Sequence, residues 1–176
     1  MSEVISFVSD FLEAGGDVLW VIFFTSVLLW SLIIERFIFM KKTYPELHDK
    51  VVTSWKGRSE HTSWSSHRIR EAQLSIIKMS LKKNISNIKV LVALCPLLGL
   101  LGTVTGMISV FDVMAMTGTG NARLMASGIS MATIPTMAGM VAALSGLYFG
   151  SYFEGKANTF FDSLSDELTF TEEKTI

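Results

Sequence analysis

The sequence predicts an all-α membrane protein with three transmembrane helices and long cytoplasmic helical extensions. Hydrophobic residues make up 49% of the 176-residue chain and charged residues only 18%, which is more apolar surface than one small soluble core needs. Three runs lack Asp, Glu, Lys and Arg over lengths close to or above the roughly 30 Å hydrocarbon core of a bilayer. They are 18–34, 90–111 and 124–153.

The predicted spans contain the three charge-free runs and extend the first two of them at their carboxyl-terminal ends. The predicted spans are 18–40, 90–116 and 124–153. Residues 1–17 are expected to lie on the outer face of the membrane as an amphipathic helix, because four apolar residues share one side; these are Val4, Phe7, Phe11 and Leu12. A short loop at 117–123 joins the second and third spans, and helical extensions are expected at 41–89 and 154–176.

The distribution of basic residues predicts the orientation in the membrane. Residues 41–89 contain eleven Lys or Arg against four acids, whereas residues 1–17 contain no basic residue and the 117–123 loop only Arg123. Connections rich in Lys and Arg stay on the cytoplasmic side of a membrane. The amino terminus and the 117–123 loop are therefore expected outside, and 41–89 and the carboxyl-terminal tail inside.

Two apolar stripes predict that the helical extensions pack together. One stripe lies among basic residues before the second span and consists of Ile77, Leu81, Ile85 and Ile88. The other continues the third span at the same helical spacing and consists of Phe153, Ala157, Phe160 or Phe161, Leu164 and Leu168. Since residues three and four apart share a helix face, these stripes indicate a helical bundle, with acidic tail residues facing the basic stretch. Residues 56–67 are the predicted turn.

The second and third spans are unusually rich in small and hydroxyl-bearing residues. They contain PLLGLLGTVTGMI at 96–108 and GISMATIPTMAGMVAAL at 128–144. Small residues let membrane helices approach closely, and plain helix packing is a sufficient explanation for the glycines. The residues that either line a pathway or serve this packing are Gly99, Gly102, Gly106, Ser130, Met131, Thr133, Pro135 and Gly139.

Two threonines are the candidate ion-pathway residues. Thr103 and Thr136 each lie within a few ångströms of the middle of a charge-free run, so their hydroxyls can meet near the membrane midplane. A lone Thr in a helix usually donates to a carbonyl three or four residues back. Pro135 has no N–H and leaves the Met131 carbonyl without its helical partner. The sequence permits either an ion or water site here or packing alone.

Charged groups are absent from the middle of the predicted spans. The charge-free runs contain no Asp, Glu, Lys, Arg or His, although a proton relay normally needs a titratable group. A proton path would therefore need a carboxylate from a partner, or water and hydroxyls alone. Glu35, Arg36 and Asp112 stand at the ends of the runs and are interpreted as interfacial anchors.

No pattern in the sequence indicates enzyme chemistry. There is no nucleotide-binding loop, no nucleophile with a base and no cluster of metal ligands, so no catalytic residue, metal or cofactor is expected. His48, His61 and His67 lie in a polar loop without acidic or cysteine neighbours at ligand spacing, and Cys95 lies in an apolar run. The net charge of -1 gives no indication of nucleic-acid binding.

The Gly- and Thr-rich motif pair resembles the second and third spans of the MotA/TolQ/ExbB proton-channel family. Glu35, Arg36 and Phe37 resemble the end of that family's first span, and the resemblance covers roughly residues 18–153. Three spans with a long inner loop are similar to the ExbB/TolQ branch rather than the four-span MotA branch. The IPTMAGM stretch at 134–140 looks most like the ExbB of a second type of TonB system.

The resemblance implies a homopentamer in the bacterial inner membrane, with a periplasmic amino terminus and a cytoplasmic carboxyl terminus. Its second and third helices would surround an ExbD-like single-span partner carrying an intramembrane Asp. Proton flow would drive a TonB-like protein and so siderophore uptake through the outer membrane. Thr103 and Thr136 match the family's pore threonines, but many members have Glu where this chain has Met131. A TolQ-like role in envelope maintenance, a passive scaffold, and H⁺ or Na⁺ coupling all stay open.

Overall fold

Every regular element in the described chain is helical. The computed structural model describes residues 15–57, 63–117 and 122–168. The elements are α1 (Gly16–Ile38), a π-helical turn (Phe39–Thr43), α2 (Tyr44–Lys56), α3 (Trp64–Lys82), α4 (Ile85–Thr117) and α5 (Ala122–Glu167). Three stretches within Gly16–Lys56, Trp64–Met116 and Met125–Glu167 are long and apolar enough to cross a membrane. The prediction of an all-α membrane protein is confirmed.

Several sequence predictions fall wholly or partly on residues outside the described ranges. The amphipathic segment at 1–17 is described only from Gly15 onward. The centre of the turn at 56–67, most of the 117–123 loop and the end of the tail also lie outside the described residues; the corresponding positions are 58–62, 118–121 and 169–176. Those parts of the predictions remain predictions.

The chain forms two compact units. Of the described residues, the first contains 15–31, 87–117 and 122–148, and the second contains 32–57, 63–86 and 149–168. In the first unit, Leu19 and Ile22 of α1 form a buried cluster that includes packed side chains from both α4 and α5. These packed neighbours are Val18, Leu98, Ile134 and Ala138. Three helices therefore share the core of the first unit.

The core of the second unit contains the two apolar stripes. Ile77 and Leu81 of α3 are 1% exposed, and Leu164 and Leu168 at the end of α5 are fully buried. The Lys78 ammonium lies 5.1 Å from the centre of the Phe161 ring. Because burying one such aliphatic side chain contributes roughly 1.5–3 kcal/mol, the packing of α3 on α5 is a main stabilising feature of this unit.

Helix α2 also packs on α5, which the stripes did not predict. The Tyr44 ring stacks on Phe160 with centroids 4.3 Å apart, and the Tyr44 hydroxyl donates to the Phe160 carbonyl oxygen at 2.9 Å. Glu167 pairs with Lys56 and with His48, both at 3.1 Å. The acidic tail is thus paired with α2, whereas the sequence analysis expected its charge to face the stretch that forms α3.

Arg70 of α3 binds the carboxyl-terminal end of α5. Its Nε donates to the Leu168 carbonyl at 2.6 Å, and its Nη2 donates to the Ser165 carbonyl at 2.8 Å. The last carbonyls of a helix have no partner within the helix, and a cation nearby also complements the negative end of the helix dipole. Arg70 therefore provides a cap for α5 from a separate helix.

A two-residue break separates α3 from α4. Asn84 has φ of 62°, a left-handed conformation that Asn adopts more readily than most residues. Its Nδ2 donates to Glu35 Oε2 at 3.0 Å. This contact ties the start of α4 to the last turns of α1.

Candidate functional site

Helices α4 and α5 approach each other closely along a row of glycines. A Cβ on Gly99 would lie 2.9 Å from Thr136 Cα, and one on Gly106 would lie 2.6 Å from Ala132 Cα. On α5, a Cβ on Gly139 would lie 2.5 Å from the Cys95 carbonyl oxygen. Such distances are shorter than real Cβ contacts, so any side chain at these positions would force the helices apart.

Pro135 lies inside this helix contact. Its side chain is fully buried and packs against Gly102, where a Cβ would overlap the proline ring. Helix α5 continues through Pro135 without a break. The missing side chain at Gly102 therefore provides room for the ring of Pro135.

Thr136 forms a hydrogen bond between the two helices. Its Oγ1 donates to the Gly99 carbonyl oxygen at 3.1 Å, and the residue is half-buried. Thr103 is also half-buried, but its Oγ1 donates to Leu100 in its own helix at 2.7 Å. The two hydroxyls do not bond to each other in the described structure. They are bonded instead to successive carbonyls of one turn of α4.

The other predicted pathway residues of α5 lie on and beside this contact. Ser130 and Thr133 are exposed, and the Thr133 hydroxyl donates to the Ser130 carbonyl at 3.1 Å. Met131 is half-buried, whereas Gly139 is buried against α4. The α4–α5 contact thus includes Thr136, Pro135 and Gly139 and leaves the hydroxyl-bearing Ser130 and Thr133 on the surface of the chain.

The three predicted anchors have different surroundings. Glu35 and Asp112 are exposed. Arg36 is 1% exposed, and its guanidinium carbon lies 4.5 Å from the Phe39 ring centroid. The Nε and Nη2 atoms of Arg36 have no hydrogen-bond partner within the described ranges. Interfacial anchoring by these residues remains a prediction.

A small polar cavity brings together three residues that the sequence analysis did not select. Asp17 of α1 lines it with Thr105 and Ser109 of α4, and its volume is about 280 Å³. Gly102, Gly106 and Met131 also line the cavity. Asp17 belongs to the segment that is predicted to precede the first span. The available signal was the spacing of Thr105 and Ser109, which are four residues apart and therefore on one face of a helix.

No metal centre is found in the part of the chain that the structure describes. No three His, Cys, Asp or Glu side chains gather there in a way that could hold a metal ion. Cys95 is buried and has a free thiol. The features of the site are thus a close helix contact, backbone carbonyls and hydroxyls.

A model of the MotA/TolQ/ExbB proton channel family matches residues 35–166. The chain belongs to this family. The match begins at the end of α1, includes α2, α3 and α4, and extends nearly to the end of α5. It therefore contains the whole α4–α5 contact described above.

A curated relative of the channel family comes from Synechocystis sp. and is named biopolymer transport protein ExbB-like 1. It is 48% identical to this chain over 63 residues. The matched segment makes up 34% of this chain and 25% of the relative. The chain thus matches about a quarter of the length of this ExbB-like protein.

Membership of the MotA/TolQ/ExbB family gives the coarse function. The family consists of proton channels and not of enzymes, in agreement with the sequence prediction. The three apolar helices and the family match together show that the chain is a multi-pass membrane protein.

Proposed function

We propose that this chain is the ExbB-like subunit of a TonB–ExbB–ExbD energiser in the bacterial inner membrane. In this proposal α4 and α5 form the wall of an oligomeric proton channel, and the proton motive force drives TonB-dependent uptake through the outer membrane. The family match and the ExbB-like name of the Synechocystis relative support this assignment. In this proposal α2 and α3 lie in the cytoplasm and the start of α1 lies at the periplasmic face, and the excess of basic residues in 41–89 supports this orientation.

The proposed assembly is a homopentamer around an ExbD-like single-span partner that also engages a TonB-like protein. Two features support a need for partners. Large apolar side chains on α4 and α5 are exposed in the single chain, including Leu97 at 60% and Val141 at 69%. The charge-free runs also supply no carboxylate near the midplane, so the partner's Asp would carry the proton.

The observation that carries the proposal is the bonding of Thr103 and Thr136 to one turn of α4. Each hydroxyl has a single proton, which it donates to the Leu100 or the Gly99 carbonyl. Its oxygen lone pairs therefore remain available to accept a hydrogen bond from water. Two such acceptors near the midplane can orient water molecules without adding a fixed charge to the wall. A proton path that includes a partner's carboxylate requires water oriented in this way.

Thr136→Val tests this role. The substitution keeps the side-chain shape and removes the hydroxyl, and the loss of one such hydrogen bond costs roughly 0.6 kcal/mol in a membrane protein, so the complex should still assemble. We expect proton flux to fall about tenfold, which corresponds to about 1.4 kcal/mol on the barrier. The measurement is dye-monitored flux into liposomes containing the co-expressed complex, together with growth on chelated iron.

Two further variants separate the hydroxyl from packing. Thr136→Ser restores the hydroxyl without the methyl group and should recover most of the flux. Thr25→Val removes a hydroxyl of α1 that donates to the Val21 carbonyl at 2.7 Å, and it should leave the flux unchanged. Full flux in the Thr136→Val complex would count against a pathway role and in favour of a passive scaffold.

Deletion strains distinguish the ExbB-like role from a TolQ-like one. Deletion of an ExbB-like subunit should impair growth on chelated iron and leave detergent resistance intact. Deletion of a TolQ-like subunit should make the cells detergent-sensitive instead. Flux measured with a proton gradient alone or with a sodium gradient alone identifies the coupling ion.

A further inference from the structure

We infer that the cavity lined by Asp17, Thr105 and Ser109 binds a hydrated monovalent cation. This cation vestibule lies between the start of α1 and the face of α4 that carries Gly102 and Gly106. Its role in transport rests on the proposed function, whereas its preference for cations rests on the lining alone. A larger groove of about 550 Å³ beside Trp30 and Met137 has a mainly apolar lining and offers no comparable ligand chemistry.

Glycines form part of the wall of the cation vestibule. Gly102 and Gly106 pack so closely on Pro135 and Ala132 that a Cβ would collide with them. Gly16 adopts a φ of 66°, a backbone conformation that glycine adopts without strain. The cavity volume of about 280 Å³ is well above the space that one water molecule needs. A cation can therefore enter with much of its hydration shell.

The hydroxyl protons in the vestibule are already in use. Thr105 Oγ1 donates to the Leu101 and Gly102 carbonyls, both 3.1 Å away. Ser109 Oγ donates to the Thr105 carbonyl at 3.2 Å. Because a hydroxyl has one proton and two lone pairs, both oxygens are left to act as acceptors. Together with the Asp17 carboxylate they form a lining suited to cations and their water.

The helix dipole of α1 opposes cation binding in the vestibule. Asp17 lies in the first turn of α1, where the helix end acts as roughly half a positive charge and favours anions. The carboxylate carries a full negative charge, so the local balance still favours a cation. One carboxylate with hydroxyls is a weak ligand set for Ca²⁺ or Mg²⁺, which prefer several charged oxygens. A monovalent ion, hydronium or Na⁺, fits better.

The vestibule lies close to Thr103 along α4 but on another face of the helix. Thr105 and Thr103 are two residues apart, about 3 Å of rise at 1.5 Å per residue, and residues two apart do not share a helix face. Thr103 is not part of the cavity lining. The cation vestibule is therefore a site beside the proposed ion path and not a continuation of its threonine pair.

Charge-selective cysteine labelling tests the cation vestibule without requiring ion flow. The probe is Ser109→Cys in a Cys95→Ala background, with the full chain reconstituted in liposomes. Its labelling rates are compared for methanethiosulfonates bearing a trimethylammonium or a sulfonate group, each normalised to a free thiol in solution. We expect the cationic reagent to react about tenfold faster. Asp17→Asn should remove most of this preference, and added salt should reduce it.

Matched variants complete the test. Asp17→Glu keeps the charge and should keep the cation preference. Asp112→Asn removes an exposed acid of α4 that does not line the cavity, and it should change nothing. Equal rates for the two reagents, a preference that survives Asp17→Asn, or a Ser109→Cys chain that neither reagent modifies would each overturn the inference. Because labelling needs no conduction, these outcomes are independent of the flux measured for Thr136→Val.

Discussion

Tyr44 combines ring stacking and a hydrogen bond in a single residue. Its ring stacks on Phe160, and its hydroxyl donates to the Phe160 carbonyl at 2.9 Å. Burial raises the pKa of the Tyr44 phenol above its usual value of 10.0, and the negative charge of Glu167 raises this pKa further. The phenol therefore stays protonated and remains a donor over the whole physiological pH range.

Tyr44→Phe isolates the contribution of this hydroxyl. The variant keeps the stacked ring and loses one hydrogen bond, so we expect the free energy of unfolding to fall by about 1 kcal/mol. Thermal unfolding in detergent, followed by tryptophan fluorescence, is the measurement. Tyr152→Phe is the control, because Tyr152 is exposed and its hydroxyl only accepts from Lys156. Equal losses in the two variants would contradict the specific role of Tyr44.

The wild-type chain and Tyr44→Phe should also differ in how their stability depends on pH. A phenol whose pKa is higher in the folded state than in the unfolded state stabilises the fold below the unfolded value of 10.0, and this stabilisation is lost as pH rises through the folded pKa. The wild-type chain should therefore lose more stability above pH 10 than Tyr44→Phe loses. Parallel alkaline curves would mean that Tyr44 is not the titrating group.

At the residue scale, the sequence predicts which residues lie at the α4–α5 contact better than it predicts their hydrogen-bond partners. Gly99 and Thr136 are predictable because small and hydroxyl residues recur at helical spacing. The acceptor of Thr136 is not, since a carbonyl of its own helix and one of a facing helix satisfy a hydroxyl equally well. Asp17 is not predictable as a site residue, because a charged residue is taken as the boundary of an apolar run. In the structure α1 already begins at Gly16, so Asp17 lies within the helix.

At the element scale, the close packing of α4 on α5 depends on glycine. Gly139→Ala places a Cβ 2.5 Å from the Cys95 carbonyl oxygen, which is backbone and cannot rotate away. We expect a loss of about 1–3 kcal/mol, the usual cost of overpacking, measured as a lower unfolding temperature in detergent. Gly155→Ala is the matched control in the same helix, because its Cβ position has no atom within 4 Å apart from its chain neighbours and the adjacent backbone of its own helix.

The two alanine variants should differ in sign. Alanine is favoured over glycine inside a helix by up to about 1 kcal/mol, so Gly155→Ala should be neutral or stabilising. If Gly139→Ala is equally well tolerated, the helices can separate without loss and the glycine row is not required for packing.

The bundle of the second unit is partly predictable from the spacing of apolar residues. The stripe containing Ile77 and Leu81 continues to Ile85 and Ile88 at steps of three or four residues, and all four side chains are buried. Helix α2 is harder to recognise, because its buried residues Tyr44, Val52 and Trp55 stand among polar ones and directly follow a π-helical turn. A π-helical turn changes the helical period, so the apolar pattern of α1 does not continue into α2.

At the scale of the whole molecule, the proposed orientation can be measured directly. Lys50→Cys and Asp112→Cys each place a thiol at an exposed position, and the natural Cys95 is buried. A membrane-impermeant maleimide should label Asp112→Cys in intact cells and Lys50→Cys only after the inner membrane is permeabilised. The reverse pattern would contradict the orientation inferred from the basic residues.

The fold class of the whole molecule was predictable because it depends on simple quantities. Charge-free runs of spanning length fix the number of membrane helices, and the motifs around Thr103 and Thr136 indicate the family. The assembly was not predictable in the same way, because it depends on the surfaces of more than one chain. The exposed Leu97 and Val141 can face lipid or another subunit, and hydrophobicity alone does not distinguish the two.

The π-helical turn at Phe39–Thr43 determines the rotational phase of α2. In this turn the Tyr44 N–H donates to the carbonyl of Phe39, five residues back, so the helix holds one residue more than an α-helix would over the same length. One residue corresponds to about 100° of rotation. Deleting one residue here would let the turn close as ordinary α-helix and leave Tyr44 and Trp55 on their present faces. Inserting a further residue would instead rotate both by about 100°, so an insertion in this short turn should be far less tolerated than a deletion.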